Sequence, residues 1–362
     1  MRPLIISPLF PPAVGGAATY FGQLAGRLAS DPRVSRLTLL TERASGYPQR
    51  DEQGKLTILR LLPPRLGIPA RPYLWHAASF IHTQLWFARH LPKLVQHEQI
   101  ELIHFHTRYR GRLFYRALSR STVPVVADLR DKLTDPAQLA LVSQRLMCCC
   151  EGVRDFALAG GYPAERLRLV PMAFSPPRSP DAAEVQLIRQ RFGIGDSPYL
   201  LFLGDITENK GVLELLPAFA QWHVRHPQVQ LLLAGMNRLG DSFLKIAAAT
   251  PDARYLGSVP HATALALIAG AEIVLLPSRS EGLPRVILES IALGRRVLAP
   301  PDIPEFDRHI PDYTLPEVTV PAIAARLEQI WRLPPPPSFP VENHHYPRVI
   351  SQILNVYQEL LD

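Results

Sequence analysis

Sulfur is scarce in this chain of 362 residues, which has three cysteines and four methionines. The cysteines are consecutive, Cys148, Cys149 and Cys150. Neighbouring side chains on a strand point to opposite faces, so three in a row build neither a metal cage nor a disulfide framework. They read as small buried residues on a core strand, in a protein of a reducing compartment. Long apolar runs are missing too, because no segment reaches the ~18 residues of a membrane span. The opening Met-Arg-Pro-Leu-Ile-Ile-Ser is apolar too briefly for a signal peptide, and Pro8, Pro11 and Pro12 follow at once. The expectation is a cytoplasmic protein, with loose peripheral attachment to the inner face of a membrane left open. No basic stripe or reader motif accompanies the charge, which argues against nucleic acid as a partner. No Gly-x-Gly-x-x-Gly follows the first apolar run, which argues against a nicotinamide dehydrogenase.

What is present is a globular composition, with 47% hydrophobic and 20% charged residues. Lys and Arg number 39 against 32 acids, a formal charge of +7 that suits an anionic ligand or surface. The length suits two domains. Proline is abundant, 37 residues without a repeat period, so collagen is excluded.

Short apolar runs alternate with helical stretches. Runs at 4–7, 37–40, 57–61, 102–105 and 123–127 read as strands, with helices near 17–29, 73–97 and 111–120 between them. The pattern restarts near residue 198, with strands at 199–203, 230–234, 253–256, 273–276 and 296–299 and helices near 211–226, 241–249, 262–269 and 284–293. Such alternation predicts an α/β fold with mainly parallel sheets. A proline-rich stretch, 171–181, reads as a linker, Pro334–Pro337 as a stiff spacer, and 346–361 as a last helix. Two Rossmann-like halves follow, 1–175 and 176–345, with a trailing crossover helix at 346–362. Ligands of such sheets sit beyond the carboxyl ends of the strands. Segment 73–97, with Tyr73, Trp75, Phe80, Trp86, Phe87, Arg89 and Lys93, reads either as a core-facing crossover helix or as a membrane-surface helix.

The most informative stretch is 273–299. An apolar run ends at Pro277, a loop presents Glu281, and Pro284 is placed to open a helix from its first turn. The amides of Leu283, Arg285 and Val286 would then form an anion site at the positive end of that helix. Glu281 and Glu289 lie eight residues apart; if most of the interval is helical, at ~1.5 Å rise their carboxylates are separated by roughly 10 Å. Carboxylates suit vicinal hydroxyls because each offers two acceptor oxygens. By spacing alone, the simpler reading is an acid stabilising a helix dipole and a surface glutamate further on.

Here the sequence resembles a family. The run Glu281-Gly-Leu-Pro, four residues and Glu289, with Ala-Leu-Gly and Val-Leu-Ala after it, is similar to the paired-glutamate signature of family-four glycosyltransferases. The likeness runs almost end to end. Phe10-Pro-Pro-Ala-Val-Gly-Gly resembles the family's opening glycine loop, and Phe202-Leu-Gly-Asp-Ile-Thr-Glu-Asn-Lys-Gly-Val its Lys-Gly-Val block. Leu231-Leu-Leu-Ala-Gly and Leu256-Gly-Ser-Val-Pro resemble its later strands, and Tyr357-Gln-Glu-Leu-Leu its closing helix.

The resemblance implies the GT-B fold, two Rossmann-like domains facing across a cleft, with the last helix packing back toward the N-terminal domain. It implies a retaining, hexosyltransferase-like, metal-independent glycosyltransferase that uses a nucleotide diphosphate sugar as co-substrate and no separate cofactor. The C-terminal half would bind the donor and the N-terminal half the acceptor, whether glycan, lipid-linked or small molecule, with polysaccharide or other cell-envelope glycan synthesis as the leading setting. Glu281 would hold donor-sugar hydroxyls, Glu289 the ribose hydroxyls, and Lys210 the diphosphate as charge builds on the leaving group. Gly15 and Gly16 would allow close backbone approach to the donor. Gly282, Leu283 and Arg285 would complete the phosphate site, and backbone near 256–259 would meet the base.

Two positions depart from the pattern. Asp205 stands where the family commonly has Arg, and an acid beside a diphosphate is unfavourable unless it turns away or pairs with a cation such as Lys210. In Ala127-Asp-Leu-Arg-Asp, Arg130 or Asp131 stands in for a family His. Asp131 would orient acceptor or donor sugar; alternatively it is a loop carboxylate paired with Arg130 or Lys132. His104 and His106 share a strand face and read as lining the cleft rather than binding metal. These departures keep a second function class open: a catalytically silent GT-B protein that binds a sugar nucleotide or serves as an assembly partner.

Overall fold

The computed structural model describes residues 1–8, 10–12, 16–63, 73–107, 109 and 111–362, and divides into two compact units. The first comprises Met1–Phe174 and Glu342–Asp362, and the second Ser175–Val341.

The first unit opens with β1 (Pro3–Ile6), α1 (Gly16–Ser30), β2 (Leu37–Glu42), β3 (Arg50–Gln53) and β4 (Leu56–Leu62). Then follow α2 (Tyr73–His97), β5 (Leu102–His106), α3 (Arg112–Ser119), β6 (Val125–Leu129), α4 (Pro136–Ala140), β7 (Arg145–Cys148), α5 (Glu151–Ala159) and β8 (Leu167–Leu169). Its sheet runs β3-β4-β2-β1-β5-β6-β7-β8. Only β3 is antiparallel, paired Arg50↔Leu59 to Gln53↔Leu56. The central strands β1 and β5 are buried throughout, as strands covered by helices on both faces must be. That two-sided burial is why they appear in the sequence as unbroken apolar runs.

Helix α2 covers 73–97 as expected. Phe87, Leu91 and Val95 are buried, and Phe87 packs on Phe114 at 4.4 Å and Tyr109 at 5.4 Å between ring centres. This part is a core-facing crossover helix; Phe80, Ile81 and Leu85 are exposed, and the side chains of Tyr73 and Trp75 lie outside the described residues. The cysteines do not share one strand. Cys148 ends β7, while Cys150 is the residue before α5; all three are buried. Burial pushes the Cys148 thiol well above its ordinary pKa.

The second unit holds α6 (Ala182–Phe192), β9 (Tyr199–Leu203), α7 (Val212–His223), β10 (Gln230–Ala234), α8 (Asp241–Ala249) and β11 (Ala253–Tyr255). It continues with α9 (His261–Gly270), β12 (Ile273–Leu275), α10 (Arg285–Ala292), β13 (Arg296–Leu298), α11 (Pro304–His309) and α12 (Val320–Arg332). Its five parallel strands run β11-β10-β9-β12-β13, with β9 pairing Leu201↔Leu232 on one side and Leu201↔Val274 on the other. Chain connectivity reverses direction at β9/β12, the switch point where ligands of such sheets bind. Helix α6 was not evident from the apolar pattern because none of its residues is fully buried. Its ends carry it instead: an Asp181–Glu184 capping box and Gly193 in the left-handed region at φ 58°.

Finally α13 (Tyr346–Leu361) packs on the first unit, with Tyr346 Oη donating to Gln23 Oε1 at 2.6 Å. The two places where the chain leaves and re-enters this unit are tied by His344. Its carbonyl accepts from Phe174 N–H at 2.7 Å, and its Nδ1–H donates to the Met172 carbonyl at 2.9 Å. Burial holds the His344 imidazole below its ordinary pKa, outweighing the Met172 bond. A depressed folded pKa means that the unfolded chain binds more protons, so this contribution is complete above about pH 6.5 and is lost as pH falls. Between pH 7.5 and 5.5 the wild type is expected to lose more melting temperature than His344→Gln; equal losses would count against the assignment.

Candidate functional site

The site residues of the second unit come from two loops at the carboxyl edge of its sheet. After β9 the chain passes Gly204 and Asp205 and makes a 3-10 turn, Glu208–Lys210. Gly211 follows at φ 65°, and a Cβ there would collide with the Pro277 carbonyl oxygen. Glycine is therefore what lets the start of α7 lie against the loop after β12. That loop is stitched to the turn: Arg279 N–H donates to Asn209 O at 2.8 Å, Asn209 Nδ2 to Ser280 O at 3.1 Å, and Arg279 Nη1 to Glu208 O at 3.0 Å. Arg279 also meets Glu214 at 2.7 Å and holds that carboxyl below its ordinary pKa.

This stitching brings Lys210 and Glu281 together as an ion pair, Nζ to Oε1. Both side chains are mostly covered, 24% and 15% exposed. Gly282 and Leu283 are buried beside them. Pro284 differs from expectation: it precedes α10 in extended conformation, at φ −74° and ψ 118°, and Arg285 is the first helical residue. Its carbonyl then accepts from Ile287 and Leu288, which is the work of a residue flanking the helix rather than one inside it.

Arg285 and Glu289 face each other one turn apart on α10, Nη2 to Oε1 at 3.2 Å. Glu289 is 7% exposed and also receives His261 Nε2 at 3.0 Å on the same oxygen. Arg285 Nε and Nη1 are buried and take no hydrogen bond among the described residues. Thus neither glutamate points into bulk solvent, and each is held by a cation. Asp205 does not take Lys210: it is exposed and lies 3.8 Å from Arg238 Nε. The backbone expected near the base, 256–259, follows β11; Gly257 O accepts from Gly235 N–H at 2.9 Å.

In the first unit, Gly15 lies outside the described residues, and Gly16 is the first residue of α1. Asp131 Oδ1 accepts from Leu133 N–H at 3.1 Å, capping its own loop turn. Arg130 pairs instead with Asp128, Nε to Oδ2 at 2.7 Å, and donates to Tyr20 Oη at 2.9 Å while stacking over that ring at 4.2 Å. His104 Nε2 lies 3.4 Å from Asp128, and its Nδ1 bonds Tyr357 Oη at 2.5 Å. Burial pushes Tyr20 up to about 12. This network was missed in the sequence, although Asp128 and Arg130 alternate on one side of an extended chain and so share a face. His261 was missed as well, since nothing in its spacing ties it to residue 289.

Among the described residues no three metal-ligating side chains cluster, and no helix is long and apolar enough to cross a membrane.

Comparison with known proteins bears on the family and the fold. The family described as "Glycosyltransferase Family 4" matches residues 14–176, and "Glycosyl transferases group 1" matches 197–332. Alpha-D-kanosaminyltransferase of Streptomyces kanamyceticus is 30% identical over 46% of each chain, so the match spans less than half of that relative. A GDP-mannose-dependent alpha-(1-6)-phosphatidylinositol monomannoside mannosyltransferase of Mycolicibacterium smegmatis is 23% identical over 82% of this chain and 79% of its own. Among solved structures, sucrose-phosphate synthase of Thermosynechococcus elongatus superimposes with a TM-score of 0.72 at 17% identity, covering 99% of this chain and 98% of that one. An Anabaena protein in complex with UDP and glucose gives 0.69 at 15% identity, covering 99% and 100%. The two family matches, over 14–176 and 197–332, place the chain in the family-four-like glycosyltransferases, and the solved structures share its GT-B fold.

Proposed function

We propose that this glycosyltransferase moves a sugar from a nucleoside diphosphate sugar to a hydroxyl acceptor with retention of configuration. The observation that carries the reading is the convergence of Lys210, Glu281, Arg285 and Glu289 on one carboxyl edge of the second unit's sheet. The roles follow from charge. Lys210 and Arg285 take the diphosphate, with the first amides of α10. Glu281 accepts from donor-sugar hydroxyls, and Glu289 from the ribose. Lys210 and Glu281 neutralise each other in their ion pair, and a donor would meet the first with phosphate and the second with hydroxyls.

The reaction is read as a front-face displacement. The acceptor oxygen bonds to the anomeric carbon as the bond from that carbon to the phosphate oxygen breaks, and the departing phosphate takes the hydroxyl proton. Lys210 faces the charge that grows on the leaving group, so it stabilises the transition state more than the ground state. The donor serves as co-substrate, and no resident cofactor or metal enters the scheme. The acceptor belongs to the first unit, with Asp131 and the Arg130 loop as its expected contacts. The name of the mannosyltransferase relative, which carries a phosphatidylinositol monomannoside, supports a glycan or lipid-linked acceptor.

The test uses purified protein with UDP-, GDP- and ADP-sugars. One nucleoside diphosphate is expected to raise the melting temperature, since it binds only the folded chain. Its sugar is expected to be released or transferred, with the product's anomeric configuration read by NMR. Binding without turnover on any donor would favour the catalytically silent alternative; an inverted product would remove the front-face route.

A further inference from the structure

Resting on that reading of Glu289, we infer that His261 is a positioning residue for ribose recognition, one that sets the preference for a ribonucleotide over a deoxyribonucleotide donor. The carboxylate of Glu289 is nearly buried, and a buried carboxylate is useful to a ligand only if one oxygen is held and the other left available. The structure does this. Both Arg285 Nη2 and His261 Nε2 donate to Oε1, at 3.2 and 3.0 Å, and Oε2 takes no hydrogen bond among the described residues.

The two donors come from different directions. Arg285 lies one turn back on the same helix, so by itself it fixes the carboxylate only along the axis of α10. His261 is the first residue of α9, directly after the 256–260 loop. It approaches from a separate element, and two donors on one oxygen from two elements leave the carboxylate plane little freedom. Because a carboxylate only accepts, Nε2 must carry the proton of this bond. The ring is 43% exposed, so its contact with Glu289 is not explained by core packing. Its backbone also continues the loop expected at the base, so base and ribose are read by adjoining residues.

The experiment measures dissociation constants by calorimetry for UDP against 2′-deoxy-UDP and for GDP against 2′-deoxy-GDP. The proteins are wild type, Glu289→Ala, His261→Ala and His261→Gln, all as the full chain. Wild type is expected to prefer the ribonucleotide of the base it binds, and Glu289→Ala to abolish that preference. His261→Ala should cut the ribo-to-deoxy ratio roughly three- to tenfold, the scale of one ordinary hydrogen bond, while leaving deoxynucleotide affinity unchanged. His261→Gln should restore most of the ratio, because its amide N–H can donate to the same oxygen.

Equal weakening of both nucleotides in His261→Ala would mean a merely structural role and would overturn the inference. So would an unchanged ratio there when Glu289→Ala collapses it. If Glu289→Ala itself keeps the wild-type preference, or if wild type has none, the ribose reading of Glu289 fails first and takes this inference with it.

Discussion

In the Lys210→Ala variant, turnover is expected to fall by about 10²–10³-fold, the usual cost of removing one preorganised electrostatic contact to developing charge. The ammonium of Lys210 is a point charge on a flexible stem, held by its pair with Glu281 and by a loop that Gly211 and the Asn209–Ser280 stitch position. Its loss leaves Glu281, 15% exposed, without its cation, so the variant is expected to stay folded with a melting temperature several degrees below wild type. Lys210→Arg should recover only part of the rate, since a planar guanidinium cannot take the same position between Glu281 and a phosphate. Steady-state kinetics with the donor identified by the binding screen, alongside thermal unfolding, checks the claim. A kcat within threefold of wild type in a folded Lys210→Ala protein would remove this residue from the mechanism.

The second large effect concerns stability. Asp128 is buried, and burial by itself raises the pKa of a carboxyl. The Arg130 guanidinium beside it, with the His104 ring, outweighs burial and holds the Asp128 carboxyl well below the usual carboxylate range. Asp128→Asn leaves the Arg130 guanidinium short of its counter-charge in a covered site, a defect that costs about 3–5 kcal/mol. For a unit of this size that is on the order of 10 °C in melting temperature. The folded pKa lies below the unfolded one, so the contribution is complete above about pH 4 and is lost only as pH falls through the depressed folded value. The difference between wild type and variant should thus stay constant from pH 5 to pH 9. Adding Arg130→Met should recover most of the loss by removing the orphaned charge. An Asp128→Asn protein within about 1 kcal/mol of wild type would show that this network does not hold the unit together.

Legibility differed from element to element for physical reasons. Strands β1, β5, β9 and β12 are buried on both faces, so their apolar runs stood out. Strand β3 escaped notice because Arg50-Asp-Glu-Gln is a polar, exposed edge. Strand β8, Leu167-Arg-Leu, is too short and only partly covered to carry a periodic signal. Proline is tolerated at a first helical position, which predicts Pro284 as the opening residue of α10, yet its backbone is extended and the helix begins one residue later.

The candidate site divides in the same way. Lys210, Glu281, Arg285 and Glu289 were legible only through the likeness of their motifs to those of family-four glycosyltransferases, because spacing by itself favours a helix-dipole acid and a surface glutamate. Spacing along a single element could not reveal that Arg130 turns to Asp128 and not to Asp131. Nor could it show that Asp205 lies beside Arg238, or that His261 shares an oxygen of Glu289 with Arg285. What the amino-acid order determined was everything local: periodicity, the turn glycines, and which loops follow which strands. Who pairs with whom across elements was decided only when the sheet order 11-10-9-12-13 set α9 beside α10 and the 208–210 turn beside residue 281. Charges distant in sequence choose partners by proximity, and proximity is a property of the folded chain.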